Sequence, residues 1–264
     1  MTEEQKGIET AEEIIESLGI TKLPICPEEV AHKINGPSFR LELLYEPFDG
    51  EDFLGVAIGH AKAAIIKIND RITDIGRKNF TAAHELGHVC MHIAEESNKD
   101  TFRCGSNELR AYDDPYEKEA NAFASALLMP QNLILDIIDG QLNWSNIDKV
   151  SKACGTSIEA TFRRLNKIID TPAALIVHHN GTQKRFTPFD DSNFYLNKRF
   201  LEQDYLNSCP DAPRVGYPNT FNIEKFTDWV SVSNGATHPQ NIQVSTILMD
   251  DGYSYTLLTY SDVV

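Results

Sequence analysis

The sequence predicts an α+β fold in three parts: a helical region carrying a small three-stranded sheet, two helices arranged like a helix-turn-helix, and a C-terminal α+β region. Three observations predict it. Residues 75–96 place Phe80, Ala83, Gly87, Cys90 and Met91 at helical spacings with no proline among them. Short apolar runs bounded by turn residues precede that segment, and beyond Pro172 the pattern turns largely to strands.

Taken in order, Ala11, Ile14, Ile15 and Leu18 mark a first helix over 9–18, stopped by Gly19, and Pro27 opens a short second helix to Ile34. Phe39, Leu41 and Leu43 alternate with polar residues, and 53–58 and 63–68 are short apolar runs. These give three strands leading into the 75–96 helix. Asp114 and Pro115 read as N-cap and first residue of another helix, which Pro130 stops. Residues 145–168 form two helical patterns around Gly155-Thr-Ser157. After 170–172 come strands at 173–178 and 183–188, a helix over 194–206, and a hairpin of 242–249 and 253–260 around Asp250-Asp-Gly252.

A chain of 264 residues suits two domains with ample core. The net charge of −15 argues against a broad phosphate-binding surface. Cys26, Cys90, Cys104, Cys154 and Cys209 are odd in number and lack paired spacing, so a reducing compartment is expected. The acidic start, MTEEQKGIETAEE, is unlike a signal peptide, and no apolar run nears ~20 residues. The expectation is a cytoplasmic protein with no membrane association.

The chemistry concentrates in Thr81–His92, TAAHELGHVCMH, which contains H-E-x-x-H as His84, Glu85 and His88. Residues four apart share a helix face, so both imidazoles can grip one zinc ion at about 2.0–2.1 Å. Glu85 then stands beside the open position, where a base for metal-bound water belongs. The competing reading is a solvated face with a favourable charge pair. His92, another turn along, reads as a packed or hydrogen-bonded histidine.

A third ligand is available in DDPYEKEANAFASALLMP. Glu117 has capping-box spacing from Asp114, and the competing reading is that it only bonds back to that cap. It also shares a stripe with Asn121 and Ala124, and small Ala120 and Ala124 allow close approach to the first motif helix. That approach brings Glu117 to the metal and Asn121 to a ligand imidazole.

HELGHVCMH followed by EKEANAFASALLMP resembles the ImmA/IrrE family of zinc endopeptidases, bacterial and phage regulators related to gluzincins such as thermolysin. The resemblance implies Zn2+ held by His84, His88 and Glu117, with Glu85 as base and proton shuttle. Glu119 is the rival third ligand; Glu117 is preferred because E-x-x-x-N matches the gluzincin E-x-x-x-D spacing. The implied organisation is a zincin-like metallopeptidase domain over 1–142, a helix-turn-helix-like segment over 143–170, and a GAF-like sensor domain over 171–264. By the same resemblance, 64–68 is the edge strand that receives substrate. The substrate is expected to be a helix-turn-helix repressor whose cleavage derepresses a stress, phage or defence operon, with DNA damage among the stresses. An activating ligand or nucleic acid would bind the C-terminal domain.

Two further readings stay open. Arg163, Arg164 and Lys167 face phosphate if the helix pair binds DNA; otherwise the pair packs on the peptidase, and the rival to an enzyme is a regulator or sensing scaffold with a vestigial site. Cys104 lies in RCGSNE, which resembles the cysteine switch of matrix metalloproteinase propeptides. It is either an inhibitory zinc ligand or a free cysteine in a surface loop.

Overall fold

The structure, a computed structural model, describes residues 1–48, 53–60, 62–94, 101–105, 114–169, 171–189, 194–233 and 238–260, with only the backbone described at 101–105. The chain divides into two compact units, Met1–Ile137 with Val150–Ala160, and Ile138–Lys149 with Thr161–Val264.

In the first unit α1 (Glu3–Ser17) starts earlier than the apolar pattern suggests. Thr2 caps it, accepting from the Gln5 backbone while the Gln5 side chain returns to the Thr2 N–H. After α2 (Pro27–Ile34) come β1 (Arg40–Glu46), β2 (Phe53–His60) and β3 (Ala63–Asn69). The sheet has four strands rather than three, because β4 (Thr101–Gly105) pairs antiparallel with β2, giving the order β1-β3-β2-β4. Ala64, Ile66 and Ile68 of β3 turn into the core while Ile65 stays exposed, the alternation of a sheet covered on one face.

This topology corrects the expectation for 64–68. β3 is an interior strand, bonded in parallel to β1 and antiparallel to β2, so both its edges are occupied and no peptide can add to it.

Behind the sheet lie α3 (Ile75–His88) and α4 (Pro115–Leu128), followed by α5 (Gln131–Leu135). Asp74 caps α3 by accepting from the Arg77 backbone at 2.6 Å, and every residue from Thr81 to His88 is buried. A helix buried on all sides must satisfy its polar groups internally, which makes His84, Glu85 and His88 at 0% exposure informative. Past His88 the helix widens over Val89–Ile93, where the Ala94 N–H donates to the Val89 carbonyl at 2.9 Å.

The helices α6 (Trp144–Cys154) and α7 (Ile158–Ile168) straddle the division between units. Ser157 accepts from the Ala160 backbone at the start of α7. Thr161, Phe162, Arg164 and Leu165 are buried. Arg164 therefore does not face solvent, whereas Arg163 and Lys167 do. A long guanidinium three residues after Thr161 shares its inward face, so the expected three-residue basic stripe is not formed.

The second unit contains β5 (Ala173–His179), β6 (Thr182–Thr187), β7 (Phe194–Leu196), α8 (Gln203–Ser208), α9 (Ala212–Val215), β8 (Asn222–Lys225), α10 (Phe226–Trp229), β9 (Val230–Val232), β10 (Asn241–Leu248) and β11 (Tyr253–Thr259). Five of the strands form an antiparallel sheet in the order β6-β5-β11-β10-β8, and β7 pairs with β9. The β10–β11 hairpin turns through Asp251 and Gly252, both at positive φ. The helix expected over 194–206 is instead strand β7, an irregular stretch and the short α8. Leu196 is drawn into the core formed by Phe226, Trp229 and Val230, and this tertiary pairing overrides the local helical pattern. Among the described residues no helix is long and apolar enough to cross a membrane.

Candidate metal centre

α3 and α4 bring the candidate ligands together. His84 Nε2 and His88 Nε2 lie 3.0 Å apart. Glu117 Oε2 is 3.1 Å from His84 Nε2, and Oε1 is 3.3 Å from His88 Nε2. Nitrogen ligands about 2.0–2.1 Å from a tetrahedral zinc stand roughly 3.3 Å apart, so the three groups have the separations such an ion requires. They form the one group of at least three His, Cys, Asp or Glu side chains with metal-holding geometry among the described residues.

Glu117 is drawn to the imidazoles and not into the cap of α4, where Asp114 accepts from the Tyr116 backbone at 2.9 Å. Burial pushes the Glu117 carboxyl up, but its close contacts with the His84 and His88 imidazoles outweigh it and hold the group at about 2. Burial pushes the His88 imidazole down to about 3 despite the Glu117 carboxylate beside it, so it is neutral. An ionised carboxylate facing two imidazoles suits a divalent cation, whose charge balances the buried anion.

The outer hydrogen bonds support this fit. His84 Nδ1 is 3.1 Å from Asn121 Oδ1. The amide oxygen can only accept, so the proton sits on Nδ1 and Nε2 presents its lone pair to the site. His92 is buried and hydrogen-bonded, with its Nδ1 2.9 Å from His88 Nδ1. Burial lowers the His92 pKa despite the hydrogen bond to Glu119. The Tyr116 ring packs edge-on against His92, 4.8 Å between centroids. Glu119, the rival carboxylate, lies 2.8 Å from His92 Nε2 and 3.3 Å from Lys6 Nζ, away from the ligand group.

Glu85 lies fully buried against β2. A Cβ on Gly55 would meet Glu85 Oε1 at 3.1 Å and Thr81 Cγ2 at 2.9 Å, so the strand fits here only because residue 55 lacks a side chain. The ladder shifts register between Phe53 and Gly55, an irregularity that re-aims the strand beside the site. Sequence reasoning misses Gly55 because its partner is remote in the chain; an isolated glycine inside a strand pattern is the available signal.

Cys104 belongs to β4, not to a surface loop, and its backbone is opposite Gly55 in the β2–β4 ladder. Its side chain lies outside the described atoms.

The geometry agrees with the comparisons. Residues 38–166 match the family model described as the IrrE N-terminal-like domain, Peptidase_M78. Among solved structures, a Mycobacterium tuberculosis transcriptional regulator matches with a TM-score of 0.52 at 14% identity, covering 96% of this chain and 86% of that one. At that identity the likeness speaks for the fold. No curated protein matches the chain. The chain thus carries an IrrE N-terminal-like domain over residues 38–166, folded around a buried His84–His88–Glu117 group.

Proposed function

We propose that the protein is a zinc-dependent endopeptidase. The observation that carries this reading is the buried convergence of His84, His88 and Glu117 beside Glu85, inside a region that matches a peptidase domain. A bound zinc ion would polarise the scissile carbonyl and lower the pKa of a water. Glu85 takes the proton from the attacking water and delivers it to the leaving amine. Asn121 fixes the His84 ring, and Gly55 leaves room for the Glu85 carboxylate.

The substrate we propose is a helix-turn-helix repressor, cut once outside its DNA-binding helices. The support is the ImmA/IrrE resemblance, together with the Mycobacterium tuberculosis transcriptional regulator whose structure shares the fold. The second unit acts as a GAF-like sensor for an activating ligand or nucleic acid; its antiparallel α+β architecture supports this. In the resting enzyme the Cys104 thiolate is a fourth zinc ligand, an assignment supported by the register that sets residue 104 beside Gly55. The working compartment is the cytoplasm.

The test combines zinc content with cleavage of a repressor encoded beside this chain, using Glu85→Gln as control. Stoichiometric zinc and cleavage that disappears in the control are expected. A zinc-free protein that leaves the repressor intact keeps the regulator or scaffold reading, with a vestigial site, in place, and equal cleavage by the control removes Glu85 as the base.

A further inference from the structure

Beyond the ligand group a line of polar side chains runs from His88 to the N-terminal helix. His88 Nδ1 is 2.9 Å from His92 Nδ1, His92 Nε2 is 2.8 Å from Glu119 Oε2, and the same oxygen is 3.3 Å from Lys6 Nζ. Its members come from α3, the widened turn after it, α4 and α1. His88 and His92 are at most 1% exposed, whereas Glu119 and Lys6 approach the surface.

The line has a direction. A carboxylate only accepts, so His92 Nε2 carries the proton that it donates to Glu119. A bound metal ion would take the Nε2 lone pair of His88, which leaves the ring proton on Nδ1, 2.9 Å from His92 Nδ1 as its acceptor. Each proton in the line then has one donor and one acceptor, from His88 through His92 to Glu119.

We propose that His92 and Glu119 are positioning residues: they act through His88, selecting the tautomer that binds metal, with Lys6 steadying the carboxylate from α1. The widened turn over Val89–Ile93 carries the His92 ring in this contact. On the α4 side, a Cβ on Gly7 would collide with the Glu119 carbonyl and lie 2.9 Å from the Phe123 nitrogen, so α1 reaches Glu119 only because residue 7 is glycine. Asn121 does for His84 what the His92–Glu119 pair does for His88, one with a neutral amide and the other through a carboxylate and a second ring. Partners of this kind set ligand orientation and basicity, and their loss typically costs 10–100-fold in metal affinity.

This inference rests on the zinc-peptidase reading, and the experiment separates the two. NMR on the zinc-loaded full chain, labelled at histidine, reports whether the His88 Nδ1 proton is held in a hydrogen bond and which nitrogen of His92 is protonated; zinc affinity is measured by chelator competition. The parent is expected to show a hydrogen-bonded His88 Nδ1 proton and His92 protonated on Nε2. His92→Phe should lose that hydrogen bond and weaken zinc about 10–100-fold, whereas His92→Asn, whose amide oxygen can still accept from His88, should restore much of the affinity. Glu119→Gln, which preserves side-chain volume, should weaken zinc in the same direction and serves as the second variant if His92→Phe does not fold. A zinc-loaded parent without a hydrogen-bonded proton on His88 Nδ1, or folded variants with unchanged zinc affinity, would overturn the inference. A parent that binds no zinc overturns the peptidase reading itself.

Discussion

Gly55 and Glu85 face each other with no room between them: a methyl group at residue 55 would lie 3.1 Å from the Glu85 carboxylate oxygen. The base of the proposed reaction is thus held from the sheet side by a missing side chain. Gly55→Val should displace the Glu85 carboxylate while leaving the three ligands in place. Cleavage is expected to fall about 10²-fold, the scale of a roughly 1 Å misplacement, with zinc affinity little changed. Equal losses in both would mean that the strand, not the base, had been disturbed.

Glu85→Gln removes the base and preserves shape. It should retain zinc and thermal stability while losing about 10²–10⁴-fold in cleavage rate. Turnover equal to the parent's would rule out the role assigned to Glu85.

Glu117→Ala takes away a ligand and should abolish stoichiometric zinc, measured by metal analysis after gel filtration. Glu119→Ala should retain zinc in the same measurement, with lower affinity. The reverse outcome would show that Glu119 is the third ligand.

For the metal-free protein, stability should fall with pH. His88 drops from its ordinary 6.5 to about 3 on folding and Glu117 from 4.5 to about 2. Both values are lower in the folded state, so the unfolded chain binds more protons in between. The stability that His88 contributes is complete above about 6.5 and is lost as pH falls towards 3; Glu117 adds its loss below about 4.5. Each proton taken up on unfolding contributes about 1.4 kcal/mol per pH unit. Urea midpoints should decline from pH 7.5 to 5, and a flat profile would show that these groups titrate alike in both states.

Cys104→Ala should cleave the repressor without any trigger if the thiolate blocks the resting site. A variant as silent as the parent removes that part of the proposal.

The legible parts of this site are those fixed by local periodicity. His84, Glu85 and His88 fall on one short helix, and a spacing of three or four residues is enough to place them together. Glu117 was separable from Glu119 only by its spacing to Asn121, and the packing of α4 on α3 gives the two carboxylates different partners. β4 was not legible, since its ladder with β2 depends on residues distant in the chain. His92 gave no sign of its task, because its link to Glu119 exists only once α4 has docked. At 194–206 the local pattern misled, since Leu196 is claimed by pairing with Val230.

The close seat of α1 on α4 changes what counts as the unit that holds the ligand group. The matched region opens at residue 38, yet α1 supplies Ala11 to the buried core and Lys6 to Glu119. A boundary drawn by likeness would cut through a working assembly and discard the helix that braces one of its histidines. A fragment starting there would expose the α4 groove that Gly7 fills, and weak activity in it would report the missing helix, not the quality of the metal centre.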